Sequence, residues 1–177
     1  MRLRRTPLAL ATLLLLGVSA AAPAQDKTPA GTAVAGVELI ARDALFGNPE
    51  RTNVQISPDG QYLSWTAPVD GVMNVWTAPA GDPSKAKAVT DDKARGIRQY
   101  FWSYRANTLL YLRDTGGDED FHLYSVDLKT GDKRDLTQYA KTRAQVVGVS
   151  HLHPGTILVG MNDRDTQWHD VYKVDLA

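Results

Sequence analysis

The residues best placed for chemistry are a serine beside a histidine, two histidines spaced by one residue, and acids gathered on glycines. Gly148-Val149-Ser150-His151 offers a hydroxyl and an imidazole. A serine nucleophile on a strained strand-to-helix elbow needs glycine on both sides, as Gly-x-Ser-x-Gly. Here the chain continues His151-Leu152, inside a β-rich stretch, and the other Gly-x-Ser, Gly17-Val18-Ser19, lies in an N-terminal apolar run. Neighbouring strand residues point to opposite faces, so Ser150 and His151 would not meet. No catalytic residue is assigned.

His151-x-His153 could turn two imidazoles to one side, which suits zinc, but a third ligand is not evident nearby. Asp163 and His169 are candidates by sequence proximity alone, and an exposed polar turn is the favoured reading. The loop "DTGGDED" (114–120) gathers Asp114, Asp118, Glu119 and Asp120. Hard cations want clustered oxygens. The alternating acids and distant Glu of an EF-hand are missing, however. A solvated turn whose carboxylates accept backbone N–H groups is therefore expected, with contact to a neighbouring domain or a substrate entrance as the alternative. No metal and no cofactor are expected.

The elements that carry these residues repeat. Ser57, Ser103 and Ser150 each end an apolar strand before a turn, at spacings of 46 and 47 residues. Trp76, Tyr124 and Tyr172 are 48 apart, and Val89/Leu136 and Thr90/Thr137 are 47 apart. Each unit reads as a strand ("TNVQIS", "RQYFWS", "QVVGVS"), a turn, and a second strand ("YLSWTA", "TLLYLR", "TILVGM"). A polar loop and a third strand ("MNVWTA", "FHLYSVDL", "HDVYKVDL") follow. The first two units close with "KAVT" (87–90) and "KRDLT" (133–137). Four strands in about 45 residues is the pattern of a β-propeller blade. The β-branched and aromatic runs, bounded by Gly, Pro, Asp and Asn, exclude a helical repeat.

The expected fold is all-β. It has about three blades of four antiparallel strands, the last incomplete, and a short helix is possible over "VELIARDALF" (37–46). The blades would span 52–92, 93–139 and 140–177, after a lead-in at 37–51, with "DDKARGIR" (91–98) as the link between the first two. Pro58-Asp59-Gly60 is a structural turn: Pro presets φ, Asp bonds its own backbone, and Gly accepts positive φ. Trp65, Trp76, Trp102, Tyr111, Tyr124 and Tyr172 are expected to fill the space between blades. A carbohydrate- or base-stacking platform is the alternative. Three blades cannot close a ring, so the isolated chain is expected to self-associate through open faces and edges.

Residues 1–24 read as a secretory signal peptide. Arg2, Arg4 and Arg5 precede "LALATLLLLGV", and Ala22-Pro23-Ala24 suits cleavage before Gln25. The apolar run is short for a stable membrane anchor, which needs about 20 residues. The chain is thus expected to be exported, to the periplasm or beyond, and residues 25–36 to form a flexible leader. Losing three arginines leaves 17 basic against 20 acidic residues, a net charge of −3, with no basic footprint for nucleic acid. The chain has no cysteine, so it must stand on an apolar core without disulfides.

"LFGNPERTNVQISPDGQYLSWTAPVDGVMNVWTAP" (45–79) resembles the start of the N-terminal propeller of bacterial secreted peptidases of the prolyl oligopeptidase family. The branch it resembles is that of the acylaminoacyl-peptidases and dipeptidyl-aminopeptidases. "YLRDTGGDEDFHLYSVDLKTGDKRDLT" (111–137) is similar to their second blade, and the likeness covers about residues 40–176. The resemblance implies a propeller that caps a C-terminal α/β-hydrolase domain carrying Ser, Asp and His. The propeller would admit peptides rather than folded proteins. The partners it implies are that missing domain, the remaining blades and peptide substrates. The chain alone is then expected to be inactive. Because TolB-type propellers share "SPDG", a periplasmic protein-binding scaffold is the alternative.

Overall fold

The computed structural model describes residues 40–177. The signal-peptide and leader expectations, and residues 37–39 of the expected helix, lie outside the described residues. Strands and tight turns dominate the rest. The first sheet holds β1 (Thr52–Ile56), β2 (Tyr62–Val69), β3 (Val72–Pro79) and β4 (Lys87–Ala88), in that order. The second repeats the meander with β5 (Gln99–Trp102), β6 (Thr108–Arg113), β7 (His122–Asp127) and β8 (Lys133–Asp135). The third has β9 (Ala144–Val149), β10 (Thr156–Asp165) and β11 (Trp168–Asp175). All neighbours pair antiparallel.

The helix is shorter than expected. α1 spans only Arg42–Phe46, has no side-chain N-cap and buries nothing. A single turn has too few hydrogen bonds to extend without packing, and Leu45 and Phe46 are exposed. No helix among the described residues is long and apolar enough to cross a membrane.

The sequence period is also a hydrogen-bond period. Thr90 Oγ1 accepts from Val75 N at 2.8 Å, and Thr137 Oγ1 accepts from Leu123 N at 2.9 Å. Val89 N donates to Val75 O, and Leu136 N to Leu123 O, both at 2.8 Å. Ile97 N reaches Met73 O, and Ala144 N reaches Phe121 O, both at 2.7 Å. Each of the first two blades thereby ties the link to the next blade onto, or just before, its own third strand. In the first blade Asn74 adds a fully satisfied amide. Its Nδ2 donates to Val72 O and Asp92 O, and its Oδ1 accepts from Thr90 Oγ1 and Asp92 N. A buried amide is tolerated only when its donors and acceptors are met in this way.

Packing between blades follows strand alternation. The face of the first sheet toward the second is small and polar, with Ser64, Thr66, Val75 and Thr77. Into it fit Trp102, Leu109 and Tyr111 of the second sheet, with Val126, Val89 and Ile97 completing the cluster. Large side chains set against small ones fill the gap at interior density. Leu110 and Leu123, from the opposite face of the second sheet, meet Ala144, Ile157, Val159 and Met161 of the third.

Two of the six aromatics sit elsewhere than between two described blades. Trp65 and Trp76 lie on the face of the first sheet turned away from the second, with Leu63, Ala67 and Ala78. The reason is register. Trp65–Trp76, Tyr111–Tyr124 and Val159–Tyr172 are equivalent pairs, and each looks back toward the preceding position in the series. The forward face of the third sheet leaves Val147, Leu158 and Val171 exposed.

Candidate functional site

The turns come first, because they hold the serines. Ser57 Oγ donates to Asp59 Oδ1 at 2.6 Å and accepts from Tyr62 N at 2.9 Å. Gly60 N returns to Ser57 O at 2.8 Å, with Gly60 at φ 70. Asp59 also accepts from Gln61 N, and the Ser57 hydroxyl, with that backbone bond, holds its carboxyl below the usual range. The Ser57 hydroxyl is thus engaged on both sides. Ser103 Oγ accepts from Arg105 N at 3.2 Å, and Ser150 Oγ from Leu152 N at 3.2 Å. Ser57 and Ser103 flank one small cleft of about 220 Å³ that also takes in Pro58 and Asp59.

His151 is exposed and sets its ring edge-on to Tyr104, with centroids 5.9 Å apart. His153 closes the same turn through its backbone, donating to Ser150 O and accepting from Thr156 N. In the acidic loop, Asp118 Oδ1 accepts from Thr115 N at 3.2 Å and from Asp120 N at 3.1 Å, which is local turn bonding. Asp114 is buried, and its Oδ2 lies 3.4 Å from Arg95 Nε. Arg95 crosses the position where a Cβ on Gly117 would stand. Among the described residues, no group of three or more His, Cys, Asp or Glu could hold a metal ion.

Those ionic contacts fasten the link between the first two blades. Asp91 meets Lys133 at 2.9 Å, Asp92 meets Arg113 at 3.6 Å, and Arg95 meets Asp114. Lys133 holds the Asp91 carboxyl below its ordinary value. The Asp91–Lys133 pair, the most exposed of the three, contributes up to about 1 kcal/mol.

The larger feature is formed by β1, β5 and β9, which lie at corresponding edges of their sheets. These three strands converge on one open cavity of about 970 Å³. Asn53 and Gln55 line it from β1, Arg98 and Gln99 from the start of β5, and Arg143 and Gln145 from the start of β9. Tyr100, Glu119 and Phe121 complete much of its wall. The edges are stitched together: Gln55 Nε2 donates to Tyr100 O at 3.1 Å, and the Tyr100 hydroxyl donates to Asn53 O. Asn53 is left-handed, at φ 52, where β1 bulges between Thr52 and Gln55. Bulges of this kind re-aim side chains and cluster beside functional sites.

None of the cavity residues except Glu119 was singled out from the sequence. A signal was present. The first strand of each unit opens with polar residues (Asn53 and Gln55, Arg98 and Gln99, Arg143 and Gln145), where the second strands open on apolar runs. Strand alternation alone reads these as ordinary solvent-facing positions.

No family model matches the chain. Dipeptidyl aminopeptidase BIII of Pseudoxanthomonas mexicana is 75% identical over 154 residues, which cover 87% of this chain and 22% of that protein. The chain therefore spans about a fifth of that relative's length. The β-propeller domain of the Trilobed protease from Pyrococcus furiosus superposes with a TM-score of 0.51 at 18% identity, covering 71% of this chain and 41% of that one. An Agrobacterium tumefaciens protein described as TolB gives a TM-score of 0.52, also at 18% identity, covering 73% of this chain and 46% of that one. At those identities the two structures speak to the fold.

Proposed function

We propose that this chain, the N-terminal β-propeller segment of a serine peptidase of the prolyl oligopeptidase family, is the part of that enzyme that gates and selects substrates. The observation that carries the reading is the 75% identity to a dipeptidyl aminopeptidase across most of the chain. The shared fold with a TolB protein rests on 18% identity, so the scaffold alternative has no comparable support. A channel edge lined by Asn53, Gln55, Gln99 and Gln145 suits the role. Amide side chains offer donors and acceptors to an extended peptide, whereas a folded protein does not fit a cavity of about 970 Å³.

The chemistry belongs to a hydrolase domain: acyl transfer from a peptide bond to serine, then to water. The chain alone is expected to hydrolyse nothing. Purified chain incubated with a dipeptidyl chromogenic amide should give only the background rate. In the full-length enzyme, a tetrapeptide should be cleaved and a folded protein of about 100 residues left intact. Turnover by the chain that survives removal of contaminating peptidases overturns the division of labour. Cleavage of the folded protein overturns the gating role.

We further propose that the protein is exported, with the segment before Gln25 removed. Arg2, Arg4 and Arg5, the apolar run and Ala22-Pro23-Ala24 support this reading. N-terminal sequencing of protein from the periplasm or medium should begin at Gln25, and an intact Met1 on that material would count against export.

A further inference from the structure

We propose that the cavity at the converging edges of β1, β5 and β9 holds a subsite for the free carboxylate of a peptide, made by Arg98 and Arg143. This rests on the gating reading above and names the end of the peptide that the channel recognises.

Both residues line the same cavity, and both are exposed. Neither takes part in an ion pair among the described residues, where Arg95, Arg113 and Arg164 are all paired. Arg143 stacks its guanidinium over the Phe121 ring, 5.6 Å from the centroid. Stacking leaves the fork of N–H donors free at its edge and restricts its rotamers, so less entropy is lost when an anion binds. Its own backbone N–H is engaged by Asn162 Oδ1 at 2.7 Å, which fixes the start of β9. Arg98 stands at the start of β5, just after Ile97, which is buried and bonded to Met73 O.

Two cations face one lining carboxylate, Glu119, so the cavity is locally positive in a chain whose acids elsewhere match or exceed its bases. A carboxylate is the peptide group that a planar guanidinium fork fits in bidentate fashion. Around the two arginines, Gln99, Gln145, Asn53 and Gln55 can pair with the peptide groups that follow the terminal one. Glu119 sits at φ 62 on the loop above, and it disfavours a second acid near the first. The expected ligand is therefore a peptide with one free α-carboxylate and uncharged neighbouring side chains.

The test uses the full chain and two probes, N-acetyl-trialanine with a free carboxylate and its C-terminal amide. Titration followed by NMR at the arginine Nε–H signals should show the carboxylate form binding about tenfold more tightly than the amide. The difference should shrink as salt is raised, because the site is open to solvent. Arg98→Gln and Arg143→Gln should each remove most of that difference, while Tyr100, which stitches the strand edges, keeps its NMR environment. Equal binding of the two probes, or an undiminished preference in both variants, overturns the subsite. Either result leaves size selection standing, because that is read on a folded protein against a tetrapeptide and not on end charge.

Discussion

Replacing Trp102 with alanine should lower stability by about 4 kcal/mol, the largest effect expected of any single truncation here. Trp102 is 8% exposed and lies in the cluster that joins the first two blades. Its ring stacks near Tyr62 at 6.1 Å, and its Nε1 donates to Ser64 Oγ at 2.9 Å. Ser64 is completely buried, so the truncation opens a cavity and also removes the shorter of the two hydrogen bonds of its hydroxyl, leaving the 3.5 Å bond to Gln55 O. Trp102→Phe isolates the second part: it keeps most of the apolar contact and should cost about 1 kcal/mol. Trp168 is the control. It is 65% exposed, and Trp168→Ala should fall within about 0.5 kcal/mol of the parent. Urea midpoints with unchanged m-values would measure all three. A loss below about 1 kcal/mol for Trp102→Ala would mean that the blades are held by something other than this interface.

Alkaline pH should unfold the chain through its buried tyrosines. Burial pushes the Tyr111 phenol up to about 12, and the nearby Arg113 charge opposes the shift only in part. Tyr100 and Tyr124 are displaced upward for the same leading reason, loss of solvation. A phenol that ionises less readily folded than unfolded leaves stability intact below the unfolded value, near 10. Stability then falls as pH rises toward about 12. Tyr111 by itself accounts for a loss of up to about 2–3 kcal/mol across that window, at about 1.4 kcal/mol per pH unit. Denaturant midpoints at pH 9 and pH 11, with absorbance titration of the phenolates, read the effect. Tyr111→Phe keeps the ring and should flatten much of the decline. An unchanged slope in that variant would place the alkaline sensitivity elsewhere.

Both expectations turn on a face assignment, and faces were only partly legible in the chain. The period was legible. Thr90 and Thr137, spaced by 47 residues, proved to accept from equivalent third-strand amides. Equivalent bonds need equivalent residue types, so the architecture leaves a mark in one dimension. The direction in which each aromatic pair looks leaves no such mark. Trp65 and Tyr111 occupy equivalent strand positions and look the same way along the series, so Tyr111 meets the first sheet while Trp65 lies on the face turned away from the second. Alternation divides a strand into two sides without saying which neighbour lies on either.

The candidate site was less legible still. Arg98 belongs to "DDKARGIR", which reads as a connecting segment, and Arg143 to another such segment. Each is ordinary in its own stretch. They share a cavity only because the β5 and β9 edges converge, an outcome of how the sheets pack through Trp102, Leu110 and Val159.

The sequence by itself determined the local elements: strands from β-branched and aromatic runs, turns from Ser57-Pro58-Asp59-Gly60 and its counterparts, and their recurrence every 46 to 48 residues. These depend on dihedral preferences and hydrogen bonds between residues close in the chain. Only the tertiary structure decided which faces are shared and which strand edges meet. That outcome depends on large side chains of one sheet filling the small-residue surface of the next, a contact between residues about 45 positions apart that no local pattern encodes.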